Sequence, residues 1–279
     1  MSADRLLPEV LTLSASALEN WQRCPRLYFA AHVLRIPASD GGRSPDFGLF
    51  VHGMLRQIHE RGSCRDAAHV AEVLALHGAS ADGAVGAMVA RHARRCPSPA
   101  PFERHERELA RFHRRPGRPF MVVGRLDAVW AHGDVLEVRD YKTGARTADR
   151  LADDPRARLQ AWLAEPVARR RGLRLRVRYE QLAAEVDEDP EPFEPDEDDL
   201  ATITHELSTV AAAIRDAAAT GGFRGVADAM LCNTCRYRSV CRDSAAPGVP
   251  SWPSPPDLDD GDGDGGDNAD GDNADGDAA

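Results

Sequence analysis

Residues 118–144, RPFMVVGRLDAVWAHGDVLEVRDYKTG, hold two runs rich in β-branched and aromatic residues on either side of AHGD. Such runs around a short Gly-containing turn predict an antiparallel hairpin, which excludes an all-helical chain. Downstream, LRLRVRYEQL (173–182) alternates strictly and predicts a third strand. Apolar spacing predicts helices over 12–34, with Ser14 or Ser16 as N-cap, over 47–62, 66–78 and 81–96, then over 153–171, interrupted or bent near Pro155 and Pro166, and over 198–219. The order is helices, hairpin, helix, strand, helix, which implies a mixed α/β domain with helical insertions. At 279 residues the chain can bury a sizeable core.

The net charge of -10 is unevenly spread. Ten aspartates lie between Asp257 and Asp277, and ten acids between Glu185 and Asp199. Neither segment holds a base, so the rest carries 35 bases against 25 acids (45 minus 20). A basic body suits a polyanionic partner. The organisation expected is one domain over 1–245 and a disordered acidic tail over 246–279, too poor in apolar side chains to offset its ordering entropy. Asp260, Asp262, Asp264 and Gly265 imitate the start of a calcium loop, but its twelfth position is Gly271, so calcium is not expected. No run of 18 or more apolar residues is present, and MSADRLLPEV is a poor signal peptide; a cytoplasmic protein without membrane association is expected.

Among 35 Lys and Arg residues only Lys142 is a lysine. It follows Asp140 by two positions, so on a strand both side chains leave from one face. Asp127 lies thirteen residues before Asp140, across the predicted turn. Two carboxylates held together repel unless a cation lies between them, and oxygen donors suit Mg²⁺ or Mn²⁺. An ammonium beside them can hold an attacking hydroxide or offset phosphoryl charge, which arginine's planar fork does less well. The alternative is a surface strand on which Asp and Lys alternate in water.

GRLD (124–127), DYKTG (140–144) and Gln160 in the next helix resemble the PD-(D/E)XK nuclease superfamily. More narrowly, they resemble its RecB-type exonuclease domain, shared by AddB nuclease subunits and CRISPR-associated iron–sulfur exonucleases. The resemblance implies a restriction-endonuclease-like mixed sheet flanked by helices, with a helical N-terminal region and a C-terminal cysteine cluster. It also implies a metal held by His52 (in GLFVH, 48–52), Asp127, Asp140 and the Tyr141 carbonyl, with Lys142 catalytic and Gln160 orienting. The family's tyrosine four residues after the glutamine is replaced by Ala164.

Six cysteines in a chain expected to be cytosolic point to metal ligands or free thiols. Cys232, Cys235 and Cys241 form a C-x2-C-x5-C cluster in need of a fourth ligand. The resemblance supplies Cys24, and with it a structural [4Fe–4S] cluster; four thiolates also suit Zn²⁺. Cys64 and Cys96 are expected to be ordinary thiols.

Arg174, Arg176 and Arg178 share a strand face, a phosphate-binding stripe or merely a solvated one. HRRPGRP (113–119) is a candidate backbone-binding loop. A Walker A loop needs a lysine that the chain does not have to spare, so any helicase motor is expected on a separate polypeptide. The function expected is a metal-dependent DNA exonuclease on single strands or ends, in repair or recombination. The alternatives are a catalytically silent iron–sulfur DNA-binding subunit and a zinc-stabilised interaction module.

Overall fold

A computed structural model describes residues 7–37, 47–97, 102–114, 118–144, 150–182, 189–226 and 228–245. The acidic tail with its calcium-loop imitation, the first acids of the 185–199 block and the centre of HRRPGRP lie outside the described residues.

Five strands form one mixed sheet: β1 (Leu11–Leu13), β2 (Phe102–His113), β3 (Phe120–His132), β4 (Val135–Lys142) and β5 (Arg174–Gln181). β3 and β4 are the predicted hairpin, in a register that pairs Ala128 with Arg139 and His132 with Val135 around Gly133 at φ 58°. A left-handed turn position of that kind favours glycine. β5 runs parallel to β4 along its whole length. β1 joins parallel to the start of β3, and β2 lies antiparallel along the other edge of β3.

β1 and β2 are corrections to the sequence reading. β1 overlaps only the first two residues of the 12–34 segment: Leu11 and Leu13 are buried, and Ser14, one of the two expected caps, caps α1 (Ala15–Arg23) by accepting the Ala17 N–H at 3.2 Å. β2, ERHERELARFH after Phe102, is too charged to announce itself by periodicity, and pairing with β3 makes it a strand.

The remaining helices are α2 (Pro25–Tyr28), α3 (Phe47–Arg61), α4 (Ala67–Leu76), α5 (Ala84–Arg95), α6 (Pro155–Arg171), α7 (Glu197–Thr220) and α8 (Ala229–Asn233). α6 and α7 cover one face of the sheet, packing Trp162, Leu163 and Ile214 against Phe120, Leu126, Val129 and Val138. α3, α4 and α5 cover the other, packing Leu55, Ile58, Leu74 and Val89 with Trp130 and Tyr141. Leu126 and Val129 face the same core although three residues apart, whereas Ala128 and Trp130 face the opposite one. The strict alternation of a strand is therefore broken at Asp127. Opposite it, Glu106 takes a φ of 45°, and the paired register passes from His105–Ala128 to Arg107–Leu126 with no partner pair at that level.

α6 is not interrupted at Pro155, which occupies the first helical turn behind an Asp154 cap, where a missing N–H is harmless. Pro166 lies inside the helix and deprives the Trp162 carbonyl of its usual donor. The Arg111 guanidinium fills that gap, donating to the Trp162 carbonyl and lying 4.1 Å over its indole. Two of the three arginines of the β5 stripe are engaged within the chain: Arg174 bonds Asp134 and Glu194, and Arg176 bonds Glu194.

Candidate active site

Beyond the Ala128–Arg139 pair the hairpin splays. Asp127 and Asp140 are the next residues on the two strands, and although the pairing stops before them both line one cleft. The Tyr141 N–H there donates to Asp127 Oδ2 at 2.9 Å. α3 brings His52 Nδ1 to 3.4 Å from the same oxygen. From the other face, Gln160 Nε2 of α6 donates to Asp140 Oδ1 at 2.7 Å, and Lys142 Nζ lies 2.5 Å from Asp140 Oδ2. All six sequence-predicted residues of this site therefore line one cleft of about 570 Å³.

Two glycines permit the approach. A Cβ on Gly48 would meet Thr143 Oγ1 at 3.1 Å, and one on Gly124 would meet Leu163 Cδ1 at 2.6 Å. The glycine of GLFVH thus lets α3 close on the end of β4, and that of GRLD lets α6 lie against β3.

Burial, reinforced by the Asp127 charge, raises Asp140 above the usual carboxylate range, against the pull of Lys142 and Gln160. Burial works against protonating His52, yet the Asp127 hydrogen bond and charge, the Asp140 charge and the Tyr141 backbone together raise it above its ordinary value. The fork is a trap for positive charge. Two carboxylates, an imidazole and a carbonyl suit a hard divalent ion in donor type. The Gln160 Oε1 is buried without a partner, one polar atom left over for a ligand or water. Among the described residues, one set of three or more His, Cys, Asp and Glu donors lies wholly within 4.8 Å, and it lies behind Tyr141 rather than at the fork.

Several residues around the site were not assigned to it from the sequence. The Tyr179 ring lies 4.1 Å beneath Lys142 Nζ, and its hydroxyl donates to Asp154 at 2.7 Å, which stiffens the platform. Arg156, held by Glu19 at 3.0 Å, lines the same cleft with Ser14 and Ser16. Only the apolar face of the alternating strand hinted at Tyr179. Ala164 is buried, so the position of the family tyrosine faces the core.

Cys24, Cys232, Cys235 and Cys241 line one separate cavity. Pro25 forces the preceding residue out of the helical region, and Cys24 is extended at φ -168°, ψ 118° between α1 and α2. Backbone N–H groups of Val226 and Ala245 point at the Cys24 and Cys232 sulfurs, at 3.5 and 3.4 Å. Arg23 donates to Thr234 at 2.6 Å, a second tie between the N-terminal helix and the cysteine turn.

A mixed sheet between helical layers, with two acids, a lysine and a glutamine at its fork, is the framework of a nuclease. Residues 12–242 match the PD-(D/E)XK nuclease superfamily, and the chain belongs to that superfamily. Its sheet and flanking helices are accordingly restriction-endonuclease-like. PD-(D/E)XK nucleases usually use divalent metals. A solved structure titled "Crystal structure of SSO0001" is similar at 12% identity over 84% of this chain and 87% of that one, with a TM-score of 0.38. No curated protein matches the chain. No helix among the described residues is long and apolar enough to cross a membrane.

Proposed function

We propose that the chain is a RecB/AddB-type DNA exonuclease, dependent on Mg²⁺ or Mn²⁺, which cleaves single strands or DNA ends in cytoplasmic repair or recombination. The observation that carries this reading is the meeting of His52, Asp127, Asp140, Lys142 and Gln160 at one fork. His52, Asp127, Asp140 and the Tyr141 carbonyl would hold the ion. A bound divalent ion supplies an activated water and charge neutralisation at phosphorus. Lys142 stands where it can offset charge on the scissile phosphate, and Gln160 fixes the rotamer of Asp140. A Walker A loop is not found within these 279 residues, whose single lysine lies at this fork, and an ATP-driven helicase is proposed as the partner that unwinds the substrate.

The four-cysteine cavity fits a [4Fe–4S] cluster. No three of these sulfurs lie wholly within 4.8 Å of one another, whereas sulfurs around a single tetrahedral zinc lie about 3.8 Å apart. The N–H···S contacts suit the thiolates of such a cluster. The cluster's role is structural: it ties residues 232–241 to Cys24.

The test is degradation of end-labelled single-stranded DNA by the full chain with Mg²⁺, Mn²⁺ or EDTA. Stepwise loss of nucleotides with either metal, and none in EDTA, is expected. Binding without cleavage under every condition would favour the silent subunit, a reading to which the buried Ala164 lends some weight.

A further inference from the structure

The compact donor set behind Tyr141 lies outside both sites described above. We propose that His59, Cys64, His92 and Cys96 hold a structural zinc ion. His59 is in the last turn of α3 and Cys64 in the turn beyond it; His92 is in the last turn of α5 and Cys96 is that helix's C-cap. Two helix ends therefore each contribute one imidazole and one thiol, spaced H-x4-C and H-x3-C. One ligand atom from each of the four lies within 4.8 Å of all the others. His59 Nε2 is 2.9 Å from His92 Nε2 and 3.6 Å from the Cys96 sulfur. Donors around a tetrahedral zinc stand about 3.3–3.8 Å apart, so little movement separates this cluster from a coordination shell.

The surroundings are those of a metal-bound histidine. His92 Nδ1 lies 3.0 Å from Glu180 Oε2, and Arg139 Nη1 donates to that oxygen at 2.9 Å. A carboxylate on one ring nitrogen fixes the tautomer and turns the other nitrogen's lone pair inward. His92, Glu180 and Arg139 are all buried, so this arrangement is not an accident of the surface. Val51, Leu55, Ile58, Val89 and Trp130 wall the cluster. Two nitrogens and two sulfurs in a closed, dry shell select zinc over hard cations. A two-iron centre with the same four donors would hold them further apart. The ion would pin the ends of α3 and α5 together against the sheet, and α3 carries His52 seven residues before His59. It would thereby fix the frame from which His52 reaches the fork.

The test is metal analysis and zinc-edge X-ray absorption on the full-length protein as purified. Near one zinc per chain, in a shell of two nitrogens and two sulfurs, is expected. Cys64→Ser should lower zinc several-fold, whereas Cys241→Ser should leave it in place. Should Cys64→Ser fail to fold, Co²⁺ exchanged into the native protein gives the same readout, as the visible bands of a tetrahedral two-sulfur, two-nitrogen site. A zinc-free native protein with both thiols titratable in denaturant, a Cys64–Cys96 disulfide, or an all-sulfur zinc shell lost in Cys241→Ser would each overturn the proposal.

Discussion

The acidic fork and the buried histidine–cysteine cluster lie on either side of Tyr141 and are built in opposite ways. At the fork like charges face each other across a splayed hairpin, in a cleft open to solvent. Behind Tyr141, soft donors converge in an apolar pocket, and each buried charge is paired: Glu180 with His92 and Arg139, and Arg139 with Glu137 as well. The first region holds repulsion that a cation and substrate can relieve; in the second the buried charges are paired within the chain. That contrast is the one expected between catalytic and structural centres.

The sharpest separation comes from Lys142→Ala, which should lower cleavage by about 10³-fold, as removal of a charge-stabilising donor does elsewhere. Its thermal unfolding should stay near that of the parent protein. Glu180→Leu should do the converse in kind. It leaves Arg139 and His92 buried beside a vacated partner, a change that costs about 3–5 kcal/mol, and it would be read as a drop in melting temperature. Gly124→Ala comes next. Its Cβ would meet Leu163 Cδ1 at 2.6 Å, and overpacking of that kind costs about 1–3 kcal/mol; loss of activity should accompany it, because α6 carries Gln160.

The smallest effect has the opposite sign. Asp140 holds its proton more tightly in the folded chain than in the unfolded one. Its contribution thus favours folding below the ordinary carboxylate pKa and is lost as pH rises through the raised folded value. Asp140→Asn removes that loss. At neutral pH, without added metal, the variant should melt higher than the parent, by roughly 2–4 °C for each kcal/mol of repulsion relieved, while losing cleavage. Calorimetry at pH 4 and pH 7.5 would show the gain shrinking at the lower pH.

The two regions also differed in how far the sequence disclosed them. The fork was legible because a hairpin turn fixes register, and register fixes which side chains meet. The AHGD turn and the two-residue period brought Asp127, Asp140 and Lys142 near one another, and the resemblance to the nuclease superfamily made them a site and added His52 and Gln160. The rest came from tertiary contacts that no local pattern encodes. β2 is charged along its length and is a strand only because β3 pairs with it. The break of alternation at Asp127 and Glu106 leaves no compositional mark. The sequence left Arg174 and Arg176 open between a phosphate-binding stripe and a solvated one, and Glu194 is seen to hold both. Cys64 and Cys96 looked ordinary because their partners lie on two different helix ends. The spacings of His59 to Cys64 and of His92 to Cys96 were the available hint, and only their convergence gives them meaning.

The central claim is that Asp127 and Asp140 share one divalent ion, and Mn²⁺ binding followed by paramagnetic resonance on the full-length protein tests it most directly. A single bound Mn²⁺ per chain, abolished by Asp127→Asn and by Asp140→Asn but kept in Lys142→Ala, is the predicted result. Binding left intact by both aspartate variants would place the ion elsewhere and contradict the account.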